Sequence, residues 1–279
     1  MKLSNLIRKF TYNPFMAKVI QFSNMRNFAQ WIYYLLAWPR DNIKQLSFDG
    51  IKVQFYVKTY GELRFVEGSF TSGYRDERPV LKSLLEALLP GAVAYDIGAS
   101  IGIHTVFMAK RVGKNGRIIA VEPDIDAYDS LKVNMKLNDL TNVVSIQIAL
   151  GEIRKEGILR GGGVLDGSGL IPNSDTIDVR RVEIIPGDVL VQDEKLPLPN
   201  VVKIDVEGYE YYVIRGLRNT LSNRDCHMVC VEMHPTMFPQ GITCEMIIEL
   251  LQSYNFNYIN TKPRAGTFHA FCYKSSSPQ

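Results

Sequence analysis

Several short runs of residues in this chain have the types and spacing to do chemistry. The first is Tyr95-Asp96-Ile97-Gly98-Ala99-Ser100-Ile101-Gly102-Ile103-His104-Thr105, where a buried-strand pattern gives way to a helical one. Glycines at 98 and 102 let the backbone turn tightly and let a ligand approach the main chain. Their G-x-x-x-G spacing is not the G-x-G-x-x-G that seats a pyrophosphate on a helix N-terminus. The adjoining Asp96 would repel a pyrophosphate but suits a cation. The second run is Glu122-Pro123, at the tip of the next strand pattern. A carboxylate there can accept hydrogen bonds from both ribose hydroxyls of an adenosine. Alone, a glycine turn is a tight joint and an acid at a strand end is a solvated side chain. In this order they favour a nucleoside-type ligand, and S-adenosylmethionine, with its ammonium and sulfonium, is such a ligand. A nicotinamide dinucleotide is disfavoured.

Further on stand Lys203, Asp205 and Glu207, inside Val201-Val202-Lys203-Ile204-Asp205-Val206-Glu207-Gly208-Tyr209-Glu210, and then Val231-Glu232-Met233-His234-Pro235. Charges at a buried strand end are costly unless paired or functional. One reading is a Lys203–Asp205 pair that closes the sheet; the other places them between cofactor and acceptor. Methyl transfer from a sulfonium is an in-line displacement, so much of its rate comes from holding the acceptor near the methyl group. An alcohol acceptor also benefits from a base. His234 is the candidate, because imidazole titrates near neutral pH, with Asp205 and Glu207 as alternatives. The plain alternative for His234 is a packing or helix-capping residue before Pro235. His104 either lines the cofactor pocket or opens its helix. Asp205, Glu207, Glu232 and His234 could also hold a divalent ion, but no dense ligand motif appears and no metal is expected.

The elements that must position these residues alternate. Strands are expected at 92–97, 117–121, 143–149, 201–206 and 228–233, with helices at 78–89, 103–111, 126–140 and 209–221. Continuous apolar strands alternating with helices imply a parallel sheet covered on both faces. A helix over 243–254 and a final antiparallel strand pair near 257–261 and 268–273 complete the pattern. Upstream, Asp49-Gly50 marks a hairpin leading into the alternating run Ile51–Thr59, and 63–66 reads as a further short strand. Between 151 and 200 the pattern is irregular. The clusters Gly161-Gly162-Gly163 and Gly167-Ser168-Gly169 read either as a substrate-gating loop at the carboxyl edge of the sheet or as a plain surface insertion.

The chain has 279 residues, a net charge of +3 and four cysteines. That length accommodates one α/β catalytic domain with an appendage. The charge gives no argument for nucleic acid, and the unpaired cysteine spacing reads as reduced thiols of a cytoplasmic protein. Residues 1–44 mix Lys2, Arg8, Lys9, Lys18 and Arg26 with Phe10, Phe15, Trp31 and Trp38. They read as accessory helices packed on the catalytic domain or, alternatively, as a peripheral membrane contact. No stretch is long enough for a transmembrane helix.

Taken together, D-x-G-A-x-x-G at Asp96–Gly102, E-P at Glu122-Pro123, A-L-G at Ala149–Gly151, K-I-D-x-E-G-x-E at Lys203–Glu210 and V-E-x-H at Val231–His234 resemble the FkbM family of methyltransferases. The resemblance covers about residues 78–235. It implies a class I methyltransferase fold, α/β and Rossmann-like, with a seven-stranded, mostly parallel sheet that has one antiparallel strand. It implies S-adenosylmethionine as cofactor and O-methylation of a sugar, polyketide, lipid or related small molecule. Cofactor contacts are expected from Asp96, Gly98, Ala99, Gly102, His104, Thr105, Glu122, Pro123, Ala149 and Asp205. The expected division is an accessory unit at 1–68 and a methyltransferase domain at 69–279. The family's Leu-Asp-Asp element before the fourth strand is replaced here by Pro186-Gly187-Asp188. The alternative from another class is a non-catalytic module that keeps the fold for binding or membrane association.

Overall fold

The computed structural model describes residues 38–72, 76–160, 179–264 and 267–274. Strands β1 (Ile43–Phe48) and β2 (Ile51–Tyr56) form the expected hairpin, with Asp49 and Gly50 both at positive φ, as a two-residue I′ turn requires. Helix α1 (Tyr60–Gly68) then replaces the short strand read at 63–66. The cause is local. Thr59 caps the helix by accepting the Glu62 N–H, and the Glu62 carboxylate reaches back to the Lys58 N–H. This T-x-x-E arrangement is a capping-box signal that outweighs the apolar run.

Helix α2 (Arg78–Ala87), β3 (Val93–Ile97), α3 (Ile103–Val112), β4 (Arg117–Val121), α4 (Ile125–Leu137) and β5 (Val143–Ile146) follow close to the expected positions. The strand read over 143–149 is divided, because Ala149 opens β6 (Ala149–Gly151) in a different sheet. The stretch expected to be irregular also holds β7 (Lys155–Arg160), β8 (Val179–Pro186) and α5 (Gly187–Asp193), and β6, β8 and β7 form a small three-stranded sheet. The two glycine clusters lie outside the described residues, as do residues 1–37 with their accessory-helix and membrane readings. Among the described residues no helix is long and apolar enough to cross a membrane.

Strand β9 (Val201–Ile204) leads to α6 (Glu210–Gly216) and α7 (Arg218–Ser222), where one helix was expected. The break falls where a Cβ on Gly216 would stand 1.8 Å from the Gly151 carbonyl oxygen, so β6 runs directly against the helix. Asp188 secures the second piece by accepting from the Asn219 and Thr220 N–H groups. Strand β10 (Met228–Met233), α8 (Cys244–Ser253), β11 (Tyr258–Arg264) and β12 (Thr267–Tyr273) end the fold.

The main sheet has the order β11-β12-β10-β9-β3-β4-β5, with β12 antiparallel to both its neighbours. This is the seven-stranded, mostly parallel sheet that the sequence resemblance implied. Side-chain alternation along β3 feeds two cores. Tyr95 and Ile97 pack with Val213, Leu217, Ile247 and Leu251 on one face, and Ala94 packs with Val80, Leu84, Met108 and Val112 on the other. The chain lays down β3, β4 and β5 in one direction, then returns to place β9 on the other side of β3. Such a reversal opens a crevice beyond the strand ends, where ligands bind in open α/β sheets.

The hairpin belongs to this packing. Val53, Phe55 and Val57 share a buried cluster with Leu81, Leu85, Ile101 and Phe107. The free edge of β2 is satisfied by side-chain amides from α4. Asn134 Oδ1 accepts the Tyr56 N–H at 2.8 Å, while Asn138 accepts the Gln54 N–H at 2.9 Å and donates to its carbonyl at 2.7 Å. Two asparagines one helical turn apart thus stand in for a third strand.

Candidate active site

At the end of β3 the backbone is wedged between its two neighbouring strands. Asp205 donates its N–H to the Ile97 carbonyl at 3.0 Å, and Gly98 and Ala99 both donate to the Val121 carbonyl at 2.9 and 3.0 Å. Gly98 has φ 79°, and a Cβ there would lie 1.7 Å from the Asp205 carbonyl oxygen. Only glycine fits both the conformation and the space. The next free donor, the Ser100 N–H, meets Glu122 Oε2 at 2.7 Å, while Glu122 Oε1 accepts from the Asp124 N–H at 2.8 Å. Each carboxylate oxygen keeps a second lone pair for another donor. Burial pushes the Glu122 carboxyl up to about 7; the Asp124 and Ser100 N–H groups oppose that shift, and the charges of Asp124 and Asp96 add to it.

Asp96 is fully buried beneath this turn. Thr105 Oγ1 donates to its Oδ2 at 2.6 Å, and Lys203 Nζ lies 3.5 Å from its Oδ1 and 3.2 Å from Asp205 Oδ2. Asp96 has no accessible surface. Burial works against the ammonium of Lys203, but Asp205, Asp96, Glu77 and Glu232 outweigh it and hold its pKa above the usual lysine value. The Lys203–Asp205 pair foreseen as a sheet closure is therefore present, and it also ties the two halves of the crevice together. His104 opens α3, buried, with Nε2 at 3.5 Å from Glu77 Oε2. Ala99 packs with Ala120 and Leu131, Gly102 is the N-cap of α3, and Pro123 is half-buried beside Glu122. Ala149 pairs with Ile184 in the smaller sheet.

On the other side of Asp205 the ends of β9 and β10 gather acids around one imidazole. His234 Nδ1 is 2.8 Å from Glu210 Oε1, and its Nε2 lies 3.4 Å from Glu207 Oε2, 3.8 Å from Glu232 Oε1 and 3.9 Å from Asp205 Oδ1. Glu232 also accepts from Thr267 Oγ1 at 3.0 Å and pairs with His269 Nε2 at 3.1 Å. Burial disfavours charge on His234, but the Glu210 hydrogen bond and the charges of Asp205 and Glu207 prevail and raise its pKa to about 10. The surrounding acids thus favour the protonated ring. Burial, with Asp205 next, lifts Glu207 to about 7, against the opposing effect of His234.

Asp205, Glu207 and His234 are thus brought together as expected. Three neighbours were not foreseen in their roles. Glu210 stands inside the K-I-D-x-E-G-x-E run, and its place at the start of α6, accepting the Gly208 N–H at 3.0 Å, is a signal the sequence offered. His269 reaches the site only because β12 pairs Glu232 with it, and Glu77 only because α2 packs over α3. Neither carries a local signal.

Residues 96–258 match the methyltransferase FkbM domain. The hexuronic acid methyltransferase AglP of Haloferax volcanii is 30% identical over 169 residues, which cover 61% of this chain and 67% of AglP. Among solved structures, methyltransferase FkbM from Methylobacillus flagellatus KT aligns at 15% identity with a TM-score of 0.46, over 77% of this chain and 56% of that one. The precorrin-6y C5,15-methyltransferase from Geobacter metallireducens GS-15 aligns at 14% identity, also at 0.46, over 74% and 92%.

Proposed function

Because this chain belongs to the FkbM methyltransferase family, we propose that it transfers a methyl group from S-adenosylmethionine to an oxygen of a sugar. The observation that carries this reading is the joining of two different half-sites at one sheet edge. A glycine turn with a buried carboxylate beside it lies on one side of Asp205, and a carboxylate–imidazole cluster lies on the other. The donor set fits the cofactor. Glu122 has lone pairs left for two ribose hydroxyls, and the surplus of acids suits a ligand with two positive charges.

S-adenosylmethionine brings a methyl group already activated on a sulfonium. The chain's residues do the rest. Glu122 and the backbone from Gly98 to Gly102 hold the nucleoside end, with Thr105 and Lys203 fixing Asp96 beneath them. Asp205, Glu207 and His234 face the acceptor, orient its hydroxyl and receive its proton among their carboxylates. Because the donor is pre-activated, positioning is the main contribution. The printed activity of the Haloferax relative, on a hexuronic acid, supports a sugar as acceptor.

The test is a labelled-methyl assay. The purified chain is incubated with methyl-labelled S-adenosylmethionine and a panel of monosaccharides, uronic acids and glycan-bearing extracts, and products are read by mass spectrometry. A methylated sugar that keeps its label in mild alkali is expected. Label found only on lipid or polyketide hydroxyls would overturn the acceptor class while leaving methyl transfer intact.

A further inference from the structure

We infer that Asp205, Glu207 and His234 form a binding site for one divalent metal ion of the Mn²⁺ type, open on the side that faces the acceptor. The inference deepens the function proposed above and rests on that reading only for what the ion would hold.

One carboxylate oxygen from Asp205, one from Glu207 and a ring nitrogen of His234 all lie within 4.8 Å of one another. Three protein ligands with open positions are the form of a metal site that also takes a substrate or water. Imidazole with two carboxylates is a mixed set that Mn²⁺ accepts from its oxygen side and other first-row dications from the nitrogen side.

The setting of His234 also suits a ligand. The residue is 5% exposed, its Nε2 makes no hydrogen bond among the described residues, and it lies 3.4, 3.8 and 3.9 Å from Glu207, Glu232 and Asp205, so an ion seated there would take the place of the Nε2 proton. The ring is held in that orientation by Glu210, a fully buried side chain whose Oε1 meets Nδ1 at 2.8 Å. A histidine that ligates a metal nearly always gives its other ring N–H to a carboxylate or carbonyl in this way. Glu210 Oε2 is itself buried without a hydrogen-bond partner. A dication between the three ligands would balance the two carboxylates that hold it.

The side chains of Asp205 and Glu207 remain 24% and 31% exposed, which leaves the site reachable from the crevice. The other His–carboxylate group, Glu77, Glu232 and His269, is less suited. There the imidazole is already hydrogen-bonded to Glu232 at 3.1 Å, and Glu232 also accepts from Thr267. For a sugar acceptor, an ion on Asp205, Glu207 and His234 would bind the hydroxyl oxygen directly. It would also let a negatively charged sugar enter a crevice whose carboxylates would otherwise repel it.

The test needs neither cofactor nor acceptor. The full chain, stripped with a chelator, is titrated with MnCl₂ while free Mn²⁺ is followed by electron paramagnetic resonance. One Mn²⁺ per chain is expected, with Kd below about 100 µM. Glu207→Gln and Asp205→Asn should each weaken it by at least about tenfold, and His234→Gln likewise, while Glu249→Gln on the exposed face of α8 should leave it unchanged. Circular dichroism, together with affinity for the demethylated cofactor, identifies variants that retain the fold. Of these, Glu207→Gln replaces the most exposed ligand with an isostere. No uptake of Mn²⁺ up to about 1 mM, or uptake that folded Glu207→Gln and Asp205→Asn proteins keep in full, would overturn the site. Metal binding without methyl transfer would count against the proposed function alone.

Discussion

The two halves of the crevice are built on different principles. On the side proposed for the cofactor the main chain does the positioning. Gly98, Ala99, Ser100 and Asp124 direct their N–H groups to the Val121 carbonyl, at 2.9 and 3.0 Å, and to the Glu122 carboxylate, at 2.7 and 2.8 Å. On the side proposed for the acceptor the positioning is left to long side chains at the ends of β9 and β10, at the start of α6 and in β12. The first half tolerates almost no change in shape and rests on few side chains, above all Gly98 and Glu122. The second can change shape cheaply but depends on which charges are present. A fold that serves many acceptors with one cofactor would divide its labour in this way.

The largest expected effect tests the rigid half. Gly98→Ala places a methyl group 1.7 Å from the Asp205 carbonyl oxygen, on a backbone at φ 79°. Neither strand can yield without breaking the β3–β9 ladder. The variant should lose at least about 4 kcal/mol of stability, the range reserved for strained backbone and overpacked core changes, as measured by urea unfolding. A folded Gly98→Ala protein with parent stability would remove the distinction between the halves.

A medium effect concerns Glu122. Its carboxyl sits near 7 in the protein because burial disfavours the ionised form. Hydroxyls that donate to it favour the ionised form, so cofactor binding should expel a proton below that pH. The neighbouring charges that face it, Asp124 and Asp96, are both acids and push the same way as burial. Affinity should therefore tighten as pH rises from 6 to 8, by roughly threefold to tenfold, and then level off. Calorimetry across that range, with Glu122→Gln giving a flat profile, checks it; affinity that falls as pH rises would contradict the role.

The contrast also explains what the sequence revealed. Glycine spacing, an acid at a strand tip and apolar strand runs are local, so the turn, the sheet and the hairpin could be read directly. Helix α1 was misread because Leu63, Phe65 and Val66 look like a strand fragment, although Thr59 and Glu62 carried the capping signal. The small sheet was missed because neither Lys155-Glu156-Gly157-Ile158-Leu159-Arg160 nor Val179-Arg180-Arg181-Val182-Glu183-Ile184-Ile185-Pro186 alternates cleanly between apolar and polar residues, and a glycine-rich run separates them. His269 and Glu77 were not legible at all, since only strand pairing and helix packing bring them to Glu232 and His104. The surroundings of His234 were hidden for a related reason. Its position was readable, but the number of acids around it was not.

The smallest effect lies away from the crevice. Asn138→Ala removes both amide bonds to Gln54 on the hairpin edge. Stability should fall by about 1–2 kcal/mol, the cost of leaving such groups unpaired, with affinity for the demethylated cofactor unchanged. A loss of affinity together with stability would show that the hairpin supports the cofactor half as well.

The central claim is that the Gly98 turn and Glu122 receive a nucleoside sulfonium rather than a dinucleotide. Calorimetric titration of the purified chain with S-adenosylmethionine, its demethylated product and NAD tests this directly. The account expects one-to-one binding of the first two, weakened by about 1.5–3 kcal/mol in Glu122→Ala, and no binding of NAD. Tight binding of NAD with no response to either sulfur-bearing nucleoside would contradict it.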